Sequence, residues 1–169
     1  MGRGWSKNRI LINMKKIAII TFVFVLGILS VQAQNIMIED AQGKRESFAE
    51  VIKGDKPVIV AFWATWCKPC LTELDAYKEI HAEWKDDVRM VAIAIDDART
   101  RSKVVPMAKG KKYPFEIYLD INNALSKNLN VRSVPFVMIY YKGKNVYMHS
   151  GYNPGDEFYV IDEALKHVD

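Results

Sequence analysis

Two hydrophobic periods alternate along this chain. Pro57 to Ala64 (PVIVAFWA) and Val88 to Ile95 (VRMVAIAI) are nearly continuous apolar runs bounded by polar residues. Such runs predict strands buried on both faces. Between them Leu71, Leu74, Tyr77, Ile80 and Trp84 recur at helical spacing, so residues 69–85 read as an amphipathic helix. Phe115 to Leu119 and Pro135 to Tyr141 predict two further strands. Lys142-Gly143-Lys144-Asn145 turns the second of these into Val146 to His149, an antiparallel hairpin. Shorter helices are expected from Ser47 through Ile52, over 100–109 with Pro106 delaying or kinking the start, and over 122–129. Asn153 and Pro154 open a last helix with Phe158, Ile161, Leu165 and Val168 on one stripe. Before all of these, Ile36 to Ile38 is a short apolar run and Ala41-Gln42-Gly43-Lys44 a turn. Strands joined first through helices and finally by a tight turn imply an α/β domain, a mixed central sheet with helices on both faces.

Residues 1–33 follow a different rule. From Met14 the chain reads MKKIAIITFVFVLGILSVQAQN. Lys15 and Lys16 form a positive start, Ile17 to Val31 an apolar stretch, and Val31-Gln32-Ala33 a small-residue cleavage site. These are the parts of a secretory signal peptide. The apolar stretch is shorter than the ~20 residues that span a bilayer comfortably. The alternative is an uncleaved N-terminal membrane anchor with its positive end in the cytoplasm. Either reading puts residues 34–169 outside the cytoplasm, in the periplasm or an equivalent extracytoplasmic space, as one compact domain.

Charge reinforces that division. The whole chain is formally +4, but Arg3, Lys7, Arg9, Lys15 and Lys16 all precede residue 34 and no acid accompanies them. Without those five, nineteen Lys and Arg stand against twenty Asp and Glu. The body is therefore not basic, and no nucleic-acid partner is expected. Arg99, Arg101, Lys103, Lys109, Lys111 and Lys112 read as a solvated face, and Met90, Met107, Met138 and Met148 as packing.

The candidate chemistry sits in Trp66-Cys67-Lys68-Pro69-Cys70. Cys67 directly follows a buried strand, and Pro69 lies near the first helical position, where its missing N–H costs little. The two thiols are one helical turn apart. Cys67 at a helix N-terminus meets unpaired N–H groups and the positive end of the dipole, which favour a thiolate, the attacking species in disulfide exchange. Lys68 adds a positive charge nearby. A purely structural bridge would close only two intervening residues and stabilise little. Half a zinc site would need further ligands, and His81, His149 and His167 do not fall at ligand spacing. A peroxidase with a single attacking cysteine is disfavoured by the Cys-Xaa-Xaa-Cys placement. No metal and no cofactor are expected. Trp84 on its helix stripe reads as core, His81 as a packing histidine, and Trp66 as exposed recognition surface.

The segment FWATWCKPC resembles the active site of the thioredoxin superfamily, and more narrowly the exported thioredoxin-like proteins related to those that serve cytochrome c maturation. The resemblance extends to Tyr113-Pro114-Phe115 and to Ser133-Val134-Pro135, and covers nearly all of 34–169. It implies the thioredoxin fold, with a cis proline at Pro135 beside the cysteines and a backbone at Val134 that pairs with extended substrate. It implies a thiol–disulfide oxidoreductase that reduces disulfide-containing envelope proteins, apocytochrome c among them, and is recharged by an upstream thiol donor. The same cysteines could serve an oxidase or isomerase, and the same scaffold a binding or chaperone module. Trp66, Lys68 and Pro69 fall to the substrate surface. Two departures stand out. The buried aspartate of cytoplasmic thioredoxins, just before Phe62, is here Ala61, and Phe136 replaces a common threonine. The exported branch instead has a glutamate three residues after the second cysteine. Glu73 holds that place, read either as the proton acceptor or modulator for Cys70 or as a solvated first-turn carboxylate.

Overall fold

A computed structural model describes residues 36–168. The expected signal peptide or anchor, residues 1–33, lies outside the described residues. Among the described residues, no helix is long and apolar enough to cross a membrane.

Seven strands of the described residues form one sheet: β1 (Met37–Asp40), β2 (Arg45–Ser47), β3 (Val58–Trp63), β4 (Arg89–Ala94), β5 (Glu116–Asp120), β6 (Phe136–Tyr141) and β7 (Lys144–Ser150). Their order is β2-β1-β5-β4-β3-β6-β7. β3 pairs in parallel with β4, and β4 with β5, whereas β6 runs antiparallel to β3. The two apolar runs of the sequence are thus the central strands, and every residue of β3 is buried. β1 and β2 form an antiparallel hairpin where the sequence pattern shows only a short apolar run and a turn. They are four and three residues long and carry charged side chains, so no alternating pattern develops.

Six α-helices of the described residues pack on this sheet: α1 (Phe48–Val51), α2 (Lys68–Glu79), α3 (His81–Trp84), α4 (Val104–Lys111), α5 (Ala124–Asn128) and α6 (Asp156–Leu165). Ser47 caps α1 as expected, its hydroxyl accepting the Glu50 N–H. The single helix expected over 69–85 is two, broken at Ile80. Pro106 stands in the first turn of α4, where no intrahelical N–H bond is lost, and a 3₁₀ turn at Arg101–Lys103 precedes it. Ile59, Ala61 and Trp63 face Leu74, Tyr77, Trp84, Val104, Val160 and Ala164 in one core; Val58, Val60 and Phe62 face Phe48, Val51 and Leu125 in the other. Helices therefore cover both faces of the mixed sheet.

The last helix departs from expectation. It starts at Asp156 behind Gly155, whose φ of 103° suits glycine, and Asn153 does not cap it. Instead the Asn153 N–H donates to Asp156 Oδ2 at 2.7 Å. The buried stripe is Glu157, Val160, Ile161 and Ala164, while Phe158 is 52 % exposed and Leu165 and Val168 are also outside. Met148, expected to pack, is exposed on β7.

Candidate active site

The site begins where β3 ends. Trp63 closes the strand, and Ala64-Thr65-Trp66 turns the chain toward α2. Two anchors fix that turn. The Cys67 N–H donates to the Ala64 carbonyl at 3.0 Å. The Thr65 N–H donates to Asp96 Oδ2 at 2.9 Å, and the Thr65 hydroxyl to the other carboxylate oxygen. Asp96 follows β4, the parallel neighbour of β3, so the sheet itself aims the loop. The motif-based reading of the sequence does not pick out Asp96. Its signal is an acid two residues after a buried parallel strand, at the sheet end where such folds build their sites.

Cys67 is the N-cap of α2, with extended backbone (φ −91°, ψ 97°), and its Sγ accepts the Cys70 N–H at 3.3 Å. Pro69 occupies the first turn as expected. Cys67 and Cys70 are bridged, S–S 2.04 Å and Cα–Cα 5.3 Å. Cys70 is fully buried and Cys67 nearly so, whereas Trp66 is 62 % exposed and Lys68 and Pro69 are exposed. One sulfur therefore lies at the helix start beside an open aromatic, and the other is shielded by the helix.

The peptide between Val134 and Pro135 is cis. Phe136 pairs with Phe62, next to Trp63, so Pro135 stands at the same end of the sheet as the loop carrying the cysteines. The Pro135 carbonyl accepts the Gly151 N–H at 2.9 Å. Val134, partly buried, packs against both cores. Ala61, in the place of the thioredoxin aspartate, is fully buried in the core that also holds Cys70.

Glu73 is only 1 % exposed, so it is not a solvated first-turn carboxylate. Its Oε2 has no hydrogen-bond partner. Burial, with the negative charges of Asp156 and Glu157, pushes its pKa up to about 8. These two acids, at the start of α6, and Tyr152 just before it are also absent from the sequence-derived site. Glu157 occupies the apolar stripe of α6, where a binary pattern registers a carboxylate as solvent-facing.

This is the thioredoxin fold carrying a redox-capable Cys-Lys-Pro-Cys pair, the arrangement of a thiol–disulfide oxidoreductase of the thioredoxin type. Residues 29–164 match the AhpC/TSA family, and the chain belongs to it. The chain is 32 % identical over 109 residues to the thioredoxin-like protein YneN of Bacillus subtilis, a stretch covering 64 % of this chain and 62 % of that protein. It is 32 % identical over 87 residues to the thiol-disulfide oxidoreductase ResA of Bacillus thuringiensis, covering 51 % of this chain and 49 % of ResA. The chain thus spans about half to three-fifths of the length of these two relatives. A thioredoxin-like protein from Porphyromonas gingivalis shares 36 % identity in solution structure, with a TM-score of 0.71 over 79 % of this chain and 90 % of that one.

Proposed function

We propose that this protein is an exported reductant of protein disulfides. The Cys67 thiolate attacks a partner disulfide, forming a mixed disulfide and releasing one partner sulfur as a thiolate that takes a proton. Glu73 in its ionised form, which its raised pKa makes a stronger base than an ordinary carboxylate, takes the proton of Cys70, and Cys70 attacks Cys67. The Cys67–partner bond breaks, and the second partner sulfur leaves as a thiolate and is protonated. The partner gains two electrons and the Cys67–Cys70 dithiol loses them, to be restored by an upstream thiol donor. Trp66, Lys68, Pro69 and the Val134–Pro135 backbone form the surface that meets extended substrate. Disulfide-bearing envelope proteins, apocytochrome c among them, are the partners of this reading. Export rests on the signal-like pattern of residues 14–33.

The observation that carries the proposal is the asymmetry of the bridge: Cys67 caps α2 beside an exposed tryptophan, and Cys70 is fully buried. That is the division of labour between an attacking and a resolving sulfur. A structural bridge would not need Trp66 bare to solvent.

The test is insulin reduction in dithiothreitol, followed by turbidity. Wild type accelerates it, Cys67→Ser falls to the dithiothreitol background, and Cys70→Ser accumulates mixed disulfides on non-reducing gels. Equal rates for wild type and Cys67→Ser would overturn the enzyme reading and leave a binding scaffold. A reduction potential below about −200 mV fits a reductant; one near about −120 mV would reverse the direction of electron flow.

A further inference from the structure

Residues 151–155 join the end of β7 to the start of α6 and lean directly on the Val134–Pro135 segment. Phe136 pairs with Ser150, and one step further the Gly151 N–H donates to the Pro135 carbonyl at 2.9 Å. Gly151 has a φ of 86°, so the strand ends there in a left-handed turn that glycine adopts freely. Beyond it come Pro154, which has no N–H, and Gly155, which has no side chain to cap the helix. The remaining N–H groups of the loop look to side chains for acceptors. Two acids at the head of α6 supply them by turning back toward the loop. Glu157 Oε2 accepts the Tyr152 hydroxyl at 2.9 Å and the Gly155 N–H at 2.9 Å. Asp156 Oδ2 accepts the Asn153 N–H at 2.7 Å and lies 3.2 Å from His149 Nε2. Glu157 is the more telling of the two. Glutamates are mostly exposed, yet this one is 8 % exposed. A buried carboxylate is tolerated where hydrogen bonds satisfy it, and both donors to Oε2 belong to the loop. The bond to Gly155 is half of a capping box, a side chain reaching back to the N–H of the cap residue. The bond to Tyr152 caps nothing. It fastens the residue next to Gly151, and through the Gly151 N–H the fastening reaches the Pro135 carbonyl.

We propose that Glu157 is a positioning residue for substrate docking: through Tyr152 and Gly155 it fixes the 151–155 loop, and the Gly151 N–H of that loop fixes the Val134–Pro135 backbone on which extended substrate pairs. This rests on the reading of that backbone as the substrate surface. Pairing with an extended peptide is geometrically demanding, because its main-chain bonds supply affinity only when the receiving backbone is held in place. A loosened loop therefore weakens the docking of a polypeptide. The attack of Cys67 on a disulfide without a peptide backbone is left intact, since the Cys67 N–H is bonded to Ala64 and its sulfur caps α2, both independently of the loop. Lost docking with the chemistry retained appears as a higher KM at an unchanged kcat. A glutamate that only capped α6 would lower the melting temperature and leave KM where it was.

The experiment compares wild type, Glu157→Ala and Glu157→Gln, with thermal melts confirming that each is folded. Two rates are read: insulin reduction against insulin concentration with dithiothreitol as donor, and oxidation of the reduced protein by hydroxyethyl disulfide, which has no peptide backbone. Glu157→Ala should raise the KM for insulin about tenfold, with kcat and the hydroxyethyl disulfide rate within about twofold of wild type. Glu157→Gln keeps an oxygen for Tyr152 and Gly155 and should hold KM within about threefold of wild type. An unchanged KM in folded Glu157→Ala overturns the proposal. So does an equal loss with both disulfides, which would put the effect at Cys67. An effect of Glu157→Gln as large as that of Glu157→Ala overturns it too, because charge and not position would then be at work. Should Glu157→Ala fail to fold, Tyr152→Phe removes one of the two donors and must raise KM by itself; an unchanged KM there overturns the proposal. Amide hydrogen exchange separates this role from the reductase reading. In Glu157→Ala the protection of the Gly151 N–H should fall about tenfold further than that of Ile93 in β4. If wild type leaves insulin unreduced, the reductase reading fails, while equal falls at Gly151 and Ile93 overturn the hold of Glu157 on the loop.

Discussion

Asp96 holds the turn that delivers Cys67. It is 6 % exposed and both its oxygens serve Thr65, two residues before Cys67. Hydrogen bonds to a charged group contribute about 1.5–3 kcal/mol each, and a buried N–H stripped of its acceptor costs about 1–3 kcal/mol. Asp96→Ala should therefore lower stability by about 2–3 kcal/mol in denaturant unfolding, with an unchanged slope. It should also slow insulin reduction, because the loop bearing Cys67 loses its anchor to the sheet. A midpoint equal to wild type would show that the Ala64–Cys67 bond alone sets the turn. Cys67, Cys70 and Trp66 can be picked out from sequence because strand, cysteine and proline fall at fixed spacings. Asp96 cannot, since its partner is 31 residues away.

At the level of elements, long periodic segments are readable and short or polar-interrupted ones are not. β3, β4 and β6 are central strands buried over nearly their whole length, so their runs carry almost no polar residue to confuse the period. The β1–β2 hairpin is held by register with β5, a neighbour distant in sequence, and its own residues say little. The phase of α6 differs from the apolar pattern for a physical reason: the helix buries Glu157, so choosing only apolar residues rotates the stripe onto Phe158. The two phases make opposite demands on mutation. Val160 is 1 % exposed, and Val160→Ala should cost about 2 kcal/mol from lost transfer energy and the cavity left behind. Phe158→Ala, on the open face, should change stability by no more than about 0.5 kcal/mol. Thermal melts of the two variants decide the phase, and a larger loss for Phe158→Ala would return the helix to the stripe of the apolar pattern.

The whole molecule answers to pH chiefly through one group. The site draws on the end of β3, the loop after β4, the start of β6 and the start of α6, so Glu73 loses its surroundings entirely when the domain unfolds. Unfolded, its carboxyl ionises near about 4.3. Folded, burial and the Asp156 and Glu157 charges hold its proton up to about 8. Between those values the native state binds the extra proton, so unfolding releases it and stability falls as pH rises. The contribution is fully present below the unfolded pKa and is lost as pH climbs through the folded value of about 8. At about 1.36 kcal/mol per pH unit the span sets an upper bound on the order of 5 kcal/mol. His81, held below its ordinary pKa by burial, acts in the opposite direction in mildly acidic solution, favouring the folded state as pH rises. Acids held low by partners, such as Glu39 beside Arg101 and Asp97 beside Arg99, matter only in stronger acid. Replacing Glu73 by Gln isolates its share, because both proteins keep every other group. The oxidised wild type should lose several degrees in Tm relative to Glu73→Gln between about pH 5 and pH 8. Parallel Tm profiles across that window would mean that Glu73 is ionised in the folded protein at neutral pH. A carboxylate of ordinary pKa is a weak base toward a thiol, so that result would remove the driving force for the proposed proton transfer from Cys70 to Glu73.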